Sequence, residues 1–129
     1  MQVLAANADF YEALERLDLG DILSAWDSEG PVSCAHPGGG WLHGWAAVEE
    51  SWTAIVTNTE YIEFQIEGAQ VHVEDPVAWV TCTERVTSST PAGKVEGRMA
   101  ALNLFVLTRS GWRLRLHHAS PIIRMDADE

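Results

Sequence analysis

Apolar and polar positions change their period once along this chain, from helical to alternating, and the change divides it in two. In the first part Val3, Phe10, Leu14 and Leu17, with Leu4, Ala8 and Tyr11 beside them, recur at helical spacing, while Asp9, Glu12, Glu15 and Arg16 take the other side. This predicts an amphipathic helix with one buried stripe. Gly20, within Asp18-Leu-Gly-Asp21, breaks the pattern, and Asp21 is placed to cap a second, shorter helix whose Ile22, Leu23 and Trp26 turn to the same core. Residues 31–36 read as a short extended piece that ends in the loop Pro37-Gly38-Gly39-Gly40. After Trp41-Leu42-His43-Gly44 comes a third helix, with Trp45, Val48, Trp52 and Ile55 opposite Glu49, Glu50 and Thr53, uninterrupted up to Asn58.

The second part alternates. Ile62, Phe64 and Ile66 interleave with Glu63, Gln65 and Glu67; Gly68 marks a bulge or bend, and Val71 and Val73 resume the pattern up to a turn at Glu74-Asp75-Pro76. Three further strands are predicted over 77–88, 95–109 and 111–120, separated by Thr90-Pro91-Ala92-Gly93 and by Ser110-Gly111. Helices first and an antiparallel meander second indicate an α+β fold in a single domain over 1–123, followed by an acidic tail over 124–129.

Composition narrows what such a domain does. The 129 residues carry a formal charge of -11 with a single lysine, Lys94, so the clustered cations that grip a phosphate backbone are missing and nucleic acid is excluded as a partner. No apolar run is long enough to span a bilayer and the N-terminus lacks a signal-peptide pattern, which makes a cytoplasmic protein without membrane contact the expectation. Residues 1–80 hold a net -13 and residues 81–129 a net +2, so Arg85, Arg98, Arg109, Arg113 and Arg115 put positive charge on the strands. Cys34 and Cys82 stand in strand-like, apolar contexts without CxxC spacing, as buried free thiols do, and no helix-spaced or CxxC ligand pair suggests a metal. Six tryptophans offer large surfaces for core or pocket walls.

The local sequence resembles a known family over nearly its whole length. Phe10-Tyr11-x-Ala13-Leu14 with Leu19-Gly20-Asp21, Trp26, Val32-Ser33-Cys34-x-His36-Pro37-Gly38-Gly39, Ser51-Trp52, Val77 to Cys82 with Glu84, Leu102-Asn103-x-Phe105 and His117-His118-Ala119-Ser120-Pro121 are similar to the SnoaL-like branch of the nuclear transport factor 2-like superfamily. The resemblance implies a cone-shaped α+β barrel, also called cystatin-like, with three helices on a curved antiparallel sheet and a pocket between them. It also implies a homodimer paired through the sheet, where Trp79, Val106 and the arginines would lie. Relatives range from ketosteroid isomerases, scytalone dehydratase, limonene epoxide hydrolase and polyketide cyclases to the association domain of calmodulin-dependent kinase II. Such a fold licenses only an analogy of function. The acidic base of the isomerases and the Asp-Arg-Asp set of the epoxide hydrolases match no defined positions here.

Strand alternation selects the candidate site. In the last strand Trp112, Leu114, Leu116, His118 and Ser120 share the apolar face, which points His118 inward and His117 outward. In the strand before it Ala101, Asn103, Phe105 and Leu107 form the inner set, and between 77 and 85 Ala78, Val80, Cys82 and Glu84 do. His118, Glu84 and Asn103 are therefore the expected catalytic groups, and His36, Trp26, Trp41, Trp52, Tyr11, Phe105 and Cys82 the expected pocket. Apolar walls with a few polar groups suit a small hydrophobic or aromatic ligand with one oxygenated centre. A His–carboxylate pair in that enclosure suits cofactor-independent dehydration or isomerisation, with Asn103 or Tyr11 as donor to an oxyanion. The same groups serve a satisfied polar core equally well, so a non-catalytic ligand carrier and an association domain stand beside the enzyme as alternatives.

Overall fold

A computed structural model of the chain describes residues 2–123; the expected tail over 124–129 lies outside the described residues. Helix α1 (Gln2–Arg16) buries Val3, Asn7, Phe10, Tyr11, Ala13 and Leu14 as one stripe. Its stop is not Gly20. Leu17 takes the left-handed conformation (φ 54°), with its N–H on the Leu14 carbonyl and the Asp18 N–H on that of Ala13, the paired closure of a Schellman motif. The cap of α2 (Leu19–Ser24) is accordingly Asp18, whose carboxylate accepts from the Asp21 N–H at 3.1 Å, rather than Asp21 itself. Helix α3 (Trp45–Asn58) buries Val48 and Trp52 and half-buries Trp45 and Ile55.

The strands are β1 (Ser33–Ala35), β2 (Leu42–His43), β3 (Tyr61–Glu74), β4 (Val77–Thr90), β5 (Gly93–Thr108) and β6 (Gly111–Pro121). They form one curved, mostly antiparallel sheet in the order β2-β1-β6-β5-β4-β3, against which the helices pack. The extended piece at 33–35 extends the meander by pairing parallel to β6, and the two residues of β2 then add an antiparallel edge. Two turns share one device: Thr90 and Thr108 each accept from an N–H two residues on and donate to the carbonyl of Gly93 or Gly111, both of which have positive φ. Among the described residues no helix is long and apolar enough to cross a membrane.

Two bulges set the faces. On β3 the register shifts between Glu67 and Gln70, at Gly68 (φ 64°), as the sequence suggests. On β6 Leu114 faces Phe105 while Leu116 faces Leu104, which leaves Arg115 as an extra residue. The free edge of β6 is shared there by two segments. Leu114 bonds Ala25 and Asp27 through backbone groups, and residues 116–118 pair with β1. Arg115 sits at the changeover with its Nε 2.9 Å from Asp27 Oδ2, and Gly30 leaves room for that pair, since a Cβ there would stand 2.6 Å from Asp27 and 2.7 Å from Arg115.

The bulge reverses the expected faces of the second half of β6. Trp112 and Leu114 point inward as predicted, but beyond Arg115 the buried residues are His117 and Ala119; Leu116 and His118 lie on the outer side. Alternation fails here because one extra residue shifts all later side chains to the other face. Strands β4 and β5 have no such interruption along this stretch, and Ala78, Val80, Cys82 and Glu84, with Ala101, Asn103 and Phe105, face the core; Leu107, expected with them, is exposed.

Candidate active site

A chain of hydrogen bonds crosses the core from β6 to β4 by way of α1. His117 Nδ1 lies 2.6 Å from Asn103 Oδ1, and the Asn103 amide donates to Asn7 Oδ1 (2.8 Å) and to the Tyr11 hydroxyl (3.0 Å). Tyr11 in turn donates to Glu84 Oε2 at 2.6 Å, with the Cys82 thiol 3.7 Å from the same hydroxyl. The positions follow from the elements: Asn103 and His117 are directly paired across β5 and β6, and Asn7 and Tyr11 stand one helical turn apart on the buried stripe of α1. Asn103 is fully buried, and Asn7, Glu84 and His117 nearly so. They are the buried polar groups among the described residues, and Asn103 joins Asn7 and His117 directly and Glu84 through Tyr11.

This arrangement fixes proton positions. Asn103 spends its amide hydrogens on Asn7 and Tyr11, so its carbonyl oxygen accepts from His117, which must carry its proton on Nδ1 and leave Nε2 as an acceptor. Burial lowers the His117 imidazole from 6.5 to about 3, and His36 and His118 add repulsion, so His117 is neutral. Glu84 moves the other way: burial raises it from 4.5 to about 7, against the lowering effect of the Tyr11 hydrogen bond. Burial and the Glu84 carboxyl also push the Tyr11 hydroxyl well above 10, so it stays protonated and bridges Asn103 to Glu84.

An aromatic cluster surrounds the imidazole. Phe10 and Trp52 flank His117 with ring centroids at 5.4 and 5.6 Å. Trp26 adjoins Trp52 at 6.5 Å, and His36 meets Trp52 edge-on at 4.7 Å. His36 is half-buried and marks the solvent side; its Nε2 lies 2.9 Å from Ser51 Oγ, which donates to the Val48 carbonyl, and burial lowers its pKa. The indole N–H groups of Trp26 and Trp52 are buried without a partner. A cleft of about 320 Å³ between α1, α2 and β6 reaches Phe10 and Phe105 from outside. Among the described residues no three His, Cys, Asp or Glu side chains converge as a metal set would.

Of the residues expected from sequence, Glu84, Asn103, Tyr11, Trp26, Trp52, Phe105 and Cys82 meet in this core, with His36 at its rim. Two do not. His118 stacks on Trp41 at the surface (5.4 Å), and Trp41, 52 % exposed and also stacked on His43, is no pocket wall. The bulge at Arg115 puts His117 in the place foreseen for His118. Asn7 and Ser51 were not foreseen; the spacing 3, 7, 10, 11, 14 shared by Asn7 and its apolar neighbours is a signal that finds the first.

The family model of the SnoaL-like domain matches residues 3–124. No curated protein matches the sequence. Among solved structures, a proposed dehydratase of the NTF2-like family from Streptomyces avermitilis is 40 % identical over 95 % of both chains, with a TM-score of 0.89. A proposed association domain of a calcium/calmodulin-dependent protein kinase type II from Thiobacillus denitrificans is 27 % identical over 95 % of this chain and 96 % of its own, with a TM-score of 0.80. A ketosteroid isomerase-like protein from Erwinia carotovora atroseptica, 17 % identical over 95 % of both chains at a TM-score of 0.77, shares the fold.

Proposed function

This chain belongs to the SnoaL-like branch of the nuclear transport factor 2-like superfamily, and from that premise we propose that it is a cofactor-independent dehydratase or isomerase acting on a small hydrophobic or aromatic molecule. The observation that carries the reading is the buried relay Glu84–Tyr11–Asn103–His117. A general acid or base works best when its pKa lies near the working pH, and Glu84, at about 7, is the group in the relay that meets this condition. As carboxylate it takes a proton from carbon beside a carbonyl and, as the acid so formed, returns that proton to the departing hydroxyl in a dehydration or to another carbon in an isomerisation. His117 is too weak a base for that step; its Nε2 accepts the hydrogen bond of a ligand hydroxyl, while Asn103 fixes the tautomer. The 40 % identity to a proposed dehydratase supports the same class.

The test is proton NMR of small β-hydroxy ketones and enones in deuterium oxide. Loss of water or uptake of deuterium is expected, rising through pH ~7 with the Glu84 carboxylate and falling about a hundredfold or more in Glu84→Gln. Undiminished turnover in that variant, or none across the panel with the parent, refutes the reading.

A second reading, assembly, is favoured by the outer face of the sheet and by the 27 % identity to a proposed association domain. Trp79, Leu104 and Leu116 stand side by side across β4, β5 and β6, half-exposed, with His72 stacked on Trp79 at 5.3 Å. That row suits a homodimer paired through the sheet. Light scattering is expected to give twice the 14.2 kDa of one chain; a dilute 14 kDa species counts against it.

A further inference from the structure

Acidic side chains outnumber basic ones by 19 to 8 in this chain, so a cation without a carboxylate beside it is not explained by scarcity. Among the described residues Arg16 holds Asp21, Arg85 and Arg98 share Glu67, Lys94 holds Glu96 and Arg115 holds Asp27. Arg109 and Arg113 hold none, and both line one open cleft of about 670 Å³. It lies between residues 23–29, at the end of α2 and in the loop beyond, and the turn from β5 to β6. Its walls are rich in donors. Arg109 is exposed, and Arg113, half-buried, gives one N–H to the Trp112 carbonyl at 3.1 Å and keeps the others. Ser28 and Ser110 add hydroxyls, and Trp26, which also lines the cleft, is 3 % exposed with an indole N–H that has no acceptor. Acceptors are few. Asp27 is engaged by Arg115, which leaves the exposed Glu29 as the carboxylate of the cleft without an ion pair. Asp9 and Glu12 line the neighbouring cleft that Arg113 also reaches, and neither pairs with it.

We propose that this cleft binds the phosphate group of a small organic phosphomonoester, with Arg109 and Arg113 as its counter-charges. The proposal is independent of the acid–base reading, since no member of the Glu84–Tyr11–Asn103–His117 relay lines the cleft. A phosphomonoester carries about -1.5 to -2 near neutral pH, and its three terminal oxygens accept hydrogen bonds from several directions. Two guanidiniums match that charge, and each presents a planar fork of N–H donors. A carboxylate offers one charge and two oxygens in one plane, which a single guanidinium satisfies. The cleft is much larger than a phosphate group, and Leu23 gives the organic part of the ligand an apolar wall. Elsewhere the formal charge of -11 repels an anion, so the two arginines without carboxylates single out this place on the surface.

The experiment follows the amide and indole N–H resonances of the ¹⁵N-labelled full chain during titration with phenyl phosphate, inorganic phosphate and benzoate at one fixed ionic strength. Phenyl phosphate is expected to bind about fivefold more tightly than inorganic phosphate and about tenfold more tightly than benzoate, and to shift resonances within 23–29 and 108–113. Arg109→Gln and Arg113→Gln each weaken phenyl phosphate about fivefold, the size of a charge-assisted hydrogen bond partly open to water. Glu29→Gln removes the competing carboxylate and strengthens binding about twofold. Arg85→Gln, whose guanidinium is already held by Glu67, leaves the affinity unchanged and controls for attraction by any surface cation. Added sodium chloride weakens binding in the parent, and amide spectra that match the parent away from the cleft show that the variants are folded. Benzoate or inorganic phosphate binding as tightly as the ester overturns the proposal, as does the absence of binding. So do an undiminished affinity in both Arg109→Gln and Arg113→Gln, an equal loss in Arg85→Gln, or shifts centred outside 23–29 and 108–113.

Discussion

Glu84 and His117 titrate in opposite senses inside one core, and their effects on stability cancel until one is removed. Burial raises the Glu84 carboxyl from 4.5 to about 7, so between those values the folded chain keeps a proton that the unfolded chain has released. Each unit of rising pH in that window costs the fold about 1.4 kcal/mol, about 3 kcal/mol in all, and the loss ends once the folded carboxyl itself ionises. Burial lowers His117 from 6.5 to about 3, so there the unfolded chain gains a proton that the folded chain refuses. Its contribution is complete above 6.5 and is lost as pH falls toward 3, by about 5 kcal/mol. Between pH 4.5 and 6.5 the two slopes are equal and opposite. Glu84→Gln removes the falling term, so its stability relative to the parent rises by about 1.4 kcal/mol per pH unit from 4.5 to 7. His117→Gln removes the rising term, so its stability relative to the parent falls at the same rate from about 3 to 6.5. His36, also lowered by burial, contributes alike in all three proteins and drops out of the differences. Urea unfolding at half-unit pH steps, followed by tryptophan fluorescence, measures both slopes. A Glu84→Gln difference that does not change with pH would falsify the claim that folding raises this carboxyl.

Tyr11→Phe removes the hydroxyl that donates to Glu84 and accepts from Asn103; it is expected to destabilise the fold by about 2 kcal/mol. Because the lost bond was lowering the Glu84 carboxyl, its midpoint should move above that of the parent in a carboxyl ¹³C NMR titration, and an unmoved midpoint counts against the relay. His118→Ala loses only a surface stack on Trp41 and should change stability by less than about 1 kcal/mol, whereas His117→Ala strands the buried Asn103 carbonyl and should cost about 3 kcal/mol. The reverse order in urea unfolding would put the other histidine in the core.

Much of the site is legible in the sequence, and the exceptions have a common cause. Glu84 and Asn103 are found by alternation because β4 and β5 run without a break where those residues lie. Tyr11 is found because a helix stripe depends only on local spacing. His118 is chosen over His117 by the same rule, and the rule fails because nothing in Leu114-Arg115-Leu116 marks the middle residue as unpaired. The bulge on β3 is visible beforehand, since it falls at a glycine; the one on β6 falls at an arginine. Trp41 is misplaced for a related reason. An aromatic residue beside a glycine-rich loop reads as a pocket wall, but it follows the loop onto the outer face, next to His118.

By itself the sequence determined the order of the three helices and the four long strands, the turns between those strands, the α+β class and the inner face of β4, because each of these follows from spacing within a few residues. Tertiary structure decided which histidine is buried and that β1 lies parallel to β6. Those outcomes depend on segments far apart in the chain: residues 25–27 and 33–35 share the edge of β6, and the changeover at Arg115, tied to Asp27, shifts every later side chain to the opposite face.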